Sequence, residues 1–400
     1  MFKSVSEFTP SVWLVIVATM ATRFTFFMVW PYLAVILHRD HGLGVLEIGA
    51  FISTSSLFGN FIGFYVGFLS DRFGRPKIIV WGLCGSVVAV ATLGLTESLW
   101  VMLFAMILQS ITRNAIENPG KALITDLLES RAAKDLALHL RYYALNIGAS
   151  FGPVVGVAWG ISGKQTTFLL VAAILATYLV FAIFIFFREV PSKGSRDAEF
   201  FSFRDVLQTL SADRRFLIFV LAMFLGLIAY SQLEVGLVQY LQLALHPDVV
   251  GFYSMVTVTN GMTVLVFQFP LLAITRALSP QSRSMLGIAL MSVAFSILAV
   301  SPVTNSAVLL GAVFILTLGE VILFPTLQIL IDRMAPTGMK GAYFGAAALS
   351  GFGFALGSVV GGSLLRFLGG PGLWWGMAAL TLVVAWLYWR AGRLGPMGEA

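Results

Sequence analysis

Charged side chains are scarce in this sequence of 400 residues. Asp, Glu, Lys and Arg make up 11% of the chain, against about a quarter in ordinary soluble domains. Hydrophobic residues make up 58%, and 34 residues are Phe. A water-soluble domain needs far more polar surface than this composition supplies, so the chain is predicted to be an integral membrane protein with the lipid bilayer as a partner.

Cysteine is almost absent, and several chemical motifs are missing. Cys84 is the single cysteine, which excludes an intrachain disulfide. There is no glycine-rich phosphate loop with its Lys and Ser or Thr, so ATP is not the expected energy source. His38, Asp40 and His41 fit a solvated turn better than a metal site, and no metal is expected. Without a recognisable nucleophile and base, an enzyme is not expected.

Long apolar segments fill most of the chain. A membrane-spanning helix needs about 20 apolar residues, because the hydrocarbon core is about 30 Å thick and a helix rises about 1.5 Å per residue. The pattern predicts an all-α protein with twelve transmembrane helices, at residues 12–37, 46–70, 77–96, 98–126, 138–161, 166–187, 214–243, 249–275, 283–301, 306–333, 340–368 and 371–391.

The basic residues are distributed unevenly between these helices. When both termini are placed in the cytoplasm, most of the 25 Lys and Arg residues fall in cytoplasmic segments. This is the positive-inside rule, and it predicts a multi-pass protein of the inner or plasma membrane with both termini cytoplasmic. The rule also explains the net charge of +6, so this charge is no evidence for nucleic-acid binding, and nucleic acid is not an expected partner.

Two regions of the sequence repeat one pattern. In each region a proline is followed by a glycine-rich helix at nearly the same distance. Pro119 lies 33 residues before Gly152, and Pro325 lies 32 residues before Gly357. The repeat makes helices four and five equivalent to helices ten and eleven. It predicts two pseudo-symmetric six-helix bundles around one central cavity.

The predicted boundaries are an N-terminal bundle over residues 1–187, a cytoplasmic central loop over 188–213 and a C-terminal bundle over 214–400. The loop mixes Phe and Leu with basic residues. It is therefore either an amphipathic helix on the membrane surface or a plain linker between the bundles.

A compact charged turn separates the second and third predicted helices. From Gly67 to Lys77 it reads Gly-Phe-Leu-Ser-Asp-Arg-Phe-Gly-Arg-Pro-Lys. This segment resembles the signature loop of the major facilitator superfamily of secondary transporters. The resemblance implies alternating access and a loop that latches the cytoplasmic side, with Gly67, Asp71, Arg72, Gly74 and Arg75 as conformational-switch residues.

Helix five contains the sequence Gly148-x-x-x-Gly152-Pro153-x-x-Gly156. Small residues at every fourth position let two helices approach closely, and Pro153 removes a backbone donor and favours a bend. We therefore predict that this segment acts as a pivot and that Gly148, Gly152, Pro153 and Gly156 are also conformational-switch residues. It resembles the motif of the drug and metabolite:proton antiporter group of the superfamily, which favours export over import.

Acidic residues inside membrane helices are functional candidates because each costs on the order of 2.5–3.5 kcal/mol to insert. Glu234 lies in helix seven and Glu320 in helix ten, and the residues around both resemble a multidrug/proton antiporter of the superfamily. Asp126 falls where that relative has an acid in helix four. The resemblance implies that these three residues couple transport to protons, with no other cofactor. The alternative is a carboxylate tied permanently to a neighbouring helix.

The N-terminal half carries buried basic residues. Arg113, Glu117 and Lys121 are spaced four residues apart on one helix face, where Glu117 can pair with either neighbour. With Arg23 and Arg141 they predict a cationic cavity, which suits a carboxylate-bearing compound because arginine binds carboxylates in a bidentate manner. The alternative is that the cations only neutralise Glu117 and other acids.

The complete set of predicted substrate contacts is Arg23, Arg113, Glu117, Lys121, Arg141, Tyr142, Asn146, Trp30, Tyr32, Gln232 and Gln328. The expected function is proton-coupled export of a small amphiphilic compound, a drug or a siderophore- or peptide-like metabolite, by a monomer. The alternatives are a proton-coupled importer of peptides or organic acids and a non-transporting membrane receptor.

Overall fold

A computed structural model describes residues 2–158, 164–189, 201–244 and 248–394. In the first part of the chain its α-helices are α1 (Phe2–Val5), α2 (Pro10–Val29), α3 (Leu33–His41), α4 (Val45–Phe73), α5 (Arg75–Leu95), α6 (Leu99–Leu127), α7 (Arg131–Ala158) and α8 (Thr167–Glu189).

The later helices are α9 (Phe203–Ala212), α10 (Arg214–Tyr230), α11 (Gly236–Leu243), α12 (Val249–Thr275), α13 (Pro280–Val300), α14 (Ser306–Met334), α15 (Lys340–Ala348) and α16 (Phe352–Arg393). Strands are absent from the described ranges. The all-α prediction is confirmed.

Ten segments of the described chain are long and apolar enough to cross a membrane. One of them, Lys340–Arg393, is 54 residues long and breaks at Gly369, whose φ of 71° lies outside helical space. This segment therefore supplies two crossings. Arg131–Ala158 has the length of a span but is not apolar enough to count among the ten. These segments together give the twelve predicted crossings.

Three of the predicted helices are interrupted rather than continuous. Short 3-10 turns divide helix one at Trp30–Tyr32, helix seven at Ser231–Leu233 and helix eleven at Leu349–Gly351. In helix one the interruption coincides with Pro31, which has no backbone N–H to continue the hydrogen-bond ladder. Periodic apolar patterns do not reveal a break of this kind, so the sequence predicted these spans without their interruptions.

Local signals account for where several helices begin. Thr9 precedes Pro10, and its hydroxyl accepts the backbone N–H of Val12 at 3.4 Å. The carboxylate of Asp213 accepts the N–H of Phe216 at 2.9 Å at the start of α10. Such caps satisfy amide groups that have no partner within the first turn of a helix.

The described chain forms two compact units. The first unit holds Met1–Val206 together with Ala335–Ala348, and the second holds Leu207–Met334 together with Leu349–Ala400. In the first unit α2 packs on α7, α5 on α6, and α15 on α4. In the second unit α13 packs on α14 and α10 on α16. Helix α15 thus belongs to the first unit, although its neighbours in the chain belong to the second.

The predicted central loop is only partly described, since residues 190–200 lie outside the described ranges. Its later part forms the helix Phe203–Ala212, in which Val206 and Leu210 are buried and Arg204 is exposed. The Ser202 hydroxyl accepts the N–H of Asp205, and the Ser202 N–H donates to that carboxylate. These bonds to Ser202 lower the pKa of Asp205. The helical part of the loop is therefore amphipathic.

Candidate functional site

The signature loop forms an ion-pair cluster around Arg75, the first residue of α5. Its Nη1 lies 2.5 Å from the Asp71 carboxylate, and its Nε lies 2.5 Å from the Asp126 carboxylate at the end of α6. Gly74, with φ of 95°, makes the tight turn between α4 and α5. This turn brings Asp71 and Arg75 together, because few other residues adopt that backbone conformation.

The same cluster holds the start of α15. The Asp71 carboxylate accepts the backbone N–H groups of Gly341 and Ala342 at 2.9 and 2.8 Å, and Lys340 lies 3.6 Å from Asp126. A carboxylate at a helix N-terminus satisfies amides that have no partner within the helix. The cluster therefore ties α4, α5, α6 and α15 together within the first unit.

Not every predicted switch residue joins this cluster. A side chain at Gly67 would collide with the carbonyl of Gly341, so the glycine permits the close approach of α4 and α15. Arg72 instead lies over the Phe73 ring at 5.7 Å and makes no ion pair with a described residue. Asp126, which was predicted to carry protons, is placed beside the switch residues.

The glycines of predicted helix five, which is α7 in the structure, lie against the backbone of α2. A Cβ at Gly148 would strike Met20 and Phe24, and one at Gly152 would strike the Phe24 carbonyl. Pro153 lies inside α7, which continues through it, and Gly156 is buried. The helices α2 and α7 are therefore in direct backbone contact, as a small-residue motif permits.

The second unit repeats this contact. Gly353 and Gly357 stand 205 residues after Gly148 and Gly152 in the chain. A Cβ at Gly353 would strike the Phe224 carbonyl of α10, and one at Gly357 would strike Ser231. The sequence repeat thus extends to the packing of α16 on α10. These two glycine-lined helix pairs, α2–α7 and α10–α16, are equivalent in the repeat.

A charged cluster links α2 and α6 in the first unit. Arg23 lies 2.7 Å from one carboxylate oxygen of Glu117 and 2.8 Å from the other. Arg113 lies 3.3 Å from the same carboxylate and stacks over the Phe26 ring at 4.8 Å. Both oxygens of Glu117 are therefore in contact with arginine.

A cavity in the described part of the first unit opens beside this cluster, with an empty volume of about 590 Å³ including its mouth, and it is larger than a second cavity that adjoins it. Its charged residues are Arg23, Arg113 and Glu117, and Trp30 stacks on Phe26 with ring centroids 5.2 Å apart. The remaining lining residues are Thr22, Thr25, Val29, Ser86, Val90, Gln109, Ile116, Phe168, Val171 and Leu175. One end of this cavity is charged and the rest is largely apolar and aromatic.

The smaller cavity has an empty volume of about 290 Å³ and adjoins the first, because Thr22, Ile116 and Glu117 line both. Arg141 and Tyr178 line it as well. Arg141 is 6% exposed, and its Nε is buried without a hydrogen-bond partner in the described part of the chain. Arg23, Arg113, Glu117 and Arg141 therefore meet around two adjoining cavities.

Other predicted substrate contacts in the first unit lie elsewhere. The Lys121 ammonium is 3.3 Å from the Asn118 side-chain oxygen, and the Asn146 amide donates to the Tyr142 carbonyl at 2.9 Å within its own helix. Neither of these cavities is lined by Lys121, Tyr142, Asn146 or Tyr32.

In the second unit one of the two predicted proton-coupling residues, Glu320, is buried. Glu320 is 3% exposed, and its carboxylate accepts the Asn260 amide at 2.8 Å. The same amide nitrogen is 3.0 Å from the Thr317 hydroxyl. The structure thus joins Glu320 of α14 to Asn260 of α12 by a buried polar contact.

The remaining predicted residues of the second unit are in different surroundings. Gln232 is fully buried, and its amide donates to the Gly357 carbonyl at 2.8 Å, which ties α16 to the end of α10. Glu234, two residues later, is exposed. The Oε1 of Gln328 is buried without a hydrogen-bond partner in the described chain.

Sequence reasoning missed several residues of these sites. Thr19, Thr22 and Tyr178 line the cavities, and Thr317 lies beside Glu320. Thr19 lies four residues before Arg23 and Thr22 lies four residues before Phe26, and Tyr178 is a polar ring in the mostly apolar α8. Helical spacing from a charged residue was the usable signal.

A family model for the Major Facilitator Superfamily matches residues 15–352. The chain belongs to this superfamily. The MFS-type transporter YqjV of Bacillus subtilis is 31% identical over 368 residues, covering 92% of this chain and 89% of the relative. The chain is a multi-pass membrane transporter and not an enzyme, as predicted.

Two further relatives are more distant. A Na(+), Li(+), K(+)/H(+) antiporter of Planococcus maritimus is 25% identical over 355 residues, covering 81% of this chain and 82% of the relative. The multidrug resistance protein MdtH of Citrobacter koseri is 25% identical over 371 residues, covering 90% and 89%.

Solved structures share the fold. The human organic anion transporter MFSD10 has a TM-score of 0.77 at 16% identity, and the match covers 95% of this chain and all of that one. The transporter FucP in the outward conformation has the same TM-score at 15% identity, covering 97% of this chain and all of that one. These likenesses confirm the predicted superfamily fold.

Proposed function

We propose that this transporter is a proton-coupled exporter of small amphiphilic compounds that carry an anionic group, such as drugs or siderophore- or peptide-like metabolites. It works by alternating access as a monomer in the inner or plasma membrane, with both termini cytoplasmic. The observation that carries the proposal is the larger cavity, where Arg23 and Arg113 stand at one end of a wall of apolar and aromatic residues.

The charges around the two adjoining cavities favour an anionic compound. Three arginines, Arg23, Arg113 and Arg141, surround a single carboxylate, Glu117. Arginine stays charged inside proteins, and an excess of buried positive charge is costly unless an anion offsets it. The aromatic wall formed by Phe26, Trp30 and Phe168 suits an apolar body.

The contact of Glu320 with Asn260 supports proton coupling. A side-chain amide has both a donor and an acceptor, so Asn260 can donate to the carboxylate and, after rotating, accept from the carboxylic acid. Glu320 can therefore keep a partner in both protonation states at this buried position. The antiporter name of one relative and the multidrug name of another agree with proton exchange and export.

The Arg75 cluster supports a switching role for the signature loop. In the proposed cycle, the bonds from Asp71 to the start of α15 hold one state, and their release accompanies the other. Alternating access needs contacts that exist in one state only.

The test compares cells that overproduce the wild type or Glu320→Gln, by untargeted small-molecule profiling of spent medium and cell extract. Glu97→Gln, an exposed acid between α5 and α6, is the matched control. We expect an anionic compound to be enriched in the medium with the wild type and the control but not with Glu320→Gln. Enrichment inside the cells would overturn export in favour of proton-coupled import. No difference in any compound would count against transport of metabolites.

A further inference from the structure

Arg141 is the buried cation that the internal contacts of the first unit leave unsatisfied. It projects from α7 into the smaller cavity, is 6% exposed, and its Nε has no hydrogen-bond partner among the residues that the structure describes. A buried charge of this kind normally has both an opposite charge and hydrogen bonds.

Glu117 does not supply these bonds. Both of its carboxylate oxygens contact Arg23, and one also lies near Arg113. Arg141 has only a longer-range attraction to Glu117, and Arg23 opposes it by repulsion. The guanidinium of Arg141 is therefore available for a ligand.

The wall around Arg141 provides further polar groups. Tyr178 is 7% exposed and lines the same cavity, and its hydroxyl can donate to an anion. Thr19 and Thr22 line the cavity too, but their hydroxyls donate to the backbone carbonyls of Val15 and Ala18 at 2.8 Å. A fork of guanidinium donors beside the Tyr178 hydroxyl matches the two oxygens of a carboxylate.

We propose that the smaller cavity binds the carboxylate head group of the transported compound, through Arg141 and Tyr178, while the larger cavity takes its apolar or aromatic body. This assignment adds a binding site to the proposed function. It rests on the proposed function for one point, which is that the bound ligand is the transported compound. Because Thr22, Ile116 and Glu117 line both cavities, one molecule can extend from one into the other.

The surroundings also set the sign of the charge on the head group. Arg23, Arg113 and Arg141 face one carboxylate, Glu117, so the net charge of these four side chains is positive. An anionic head group is therefore favoured over a neutral one, and the substrate class is a carboxylate with an apolar or aromatic body.

Binding to the purified full-length protein in detergent tests the assignment without any transport. The probes are 3-phenylpropionate, its neutral analogue 3-phenylpropanol, inorganic phosphate and chloride, and the readout is the rise in melting temperature as each is added. We expect 3-phenylpropionate to stabilise the wild type and 3-phenylpropanol to have much less effect.

Arg141→Gln should weaken binding of 3-phenylpropionate about 10- to 100-fold, as expected for the loss of charged hydrogen bonds. Arg141→Lys keeps the charge but loses the fork and should weaken binding less. Tyr178→Phe keeps the shape of the ring and should cause a smaller loss, and it tests the site even if Arg141→Gln does not fold. Arg131→Gln removes an exposed arginine from the same helix and is the matched control.

The head-group assignment is overturned if 3-phenylpropionate does not stabilise the wild type, or if both Arg141→Gln and Tyr178→Phe bind it as the wild type does. It is also overturned if phosphate or chloride binds at Arg141 and 3-phenylpropionate does not compete. Failure of this assignment can be distinguished from failure of the export proposal. A protein that binds the carboxylate through Arg141 but exports nothing would contradict export and still support the head-group site.

Discussion

The carboxylate of Asp71 accepts the backbone N–H of Gly341 at 2.9 Å, across 270 residues of the chain. Asp71 lies in the last turn of α4, and Gly341 lies in the first turn of α15, whose chain neighbours on both sides belong to the second unit. The Asp71 side chain, together with the contact of Lys340 with Asp126, therefore holds the start of α15 in the first unit, and Arg75 holds Asp71 in place.

Loss of the Asp71 charge should loosen α15. Asp71 and Arg75 are both mostly buried, and removing one partner of such a pair costs on the order of 3 kcal/mol. In a Cys84→Ser background with the buried reporter Ala346→Cys, we expect Asp71→Asn to raise the rate of labelling by a water-soluble maleimide several-fold. Glu129→Gln, an exposed acid, is the control, and equal rates in both variants would contradict the role of Asp71.

The two glycine-lined helix pairs should respond alike to a single added methyl group. Gly152→Ala would push against the Phe24 carbonyl, and Gly353→Ala against the Phe224 carbonyl. Overpacking of this kind costs about 1–3 kcal/mol, so both variants should melt at lower temperature than the wild type. Gly311→Ala in α14 has open space around its new methyl and should not lower the melting temperature. A normal melting temperature for Gly152→Ala would mean that the helices can separate at little cost.

The pairing of Asn260 with Glu320 can be measured by a double-mutant cycle. Asn260→Ala leaves the buried carboxylate without this donor, and an unsatisfied buried group costs about 1–3 kcal/mol. We expect Asn260→Ala to lower the melting temperature in the wild type and much less when Glu320→Ala, which leaves no acceptor for the Asn260 amide, is already present. Proton uptake by proteoliposomes during substrate exchange should fall in each single variant. Additive effects on stability would exclude a direct interaction between the two residues.

Removal of the Glu117 charge should be more harmful than removal of any one arginine around it. Glu117→Gln leaves Arg23, Arg113 and Arg141 without their shared carboxylate, and an uncompensated buried charge costs about 3–5 kcal/mol. We expect Glu117→Gln to reduce the amount of folded protein sharply, and addition of Arg23→Gln to restore part of it. Thermal unfolding of the purified variants measures this, and a double variant no better than Glu117→Gln would show that charge balance is not the cause.

The helices and the signature loop could be predicted from the sequence because their causes are local. Apolar length predicts a span wherever it occurs, and the loop around Asp71 and Arg75 is one continuous segment. Pairing of charges was harder to predict. Spacing on α6 suggested that Glu117 pairs with Arg113 or Lys121, whereas its shortest contact is with Arg23 of α2, and Lys121 lies beside Asn118.

By itself the sequence determined the superfamily, the all-α class and the positions of the spanning segments, since the bilayer imposes these on each segment separately. Only the tertiary structure decided which residues meet. It placed Arg141 in a cavity with Tyr178, and it joined Glu320 to Asn260. Such contacts depend on how one helix packs against another, and the rotation and depth of each helix are set by the fit of side chains that are distant in the chain.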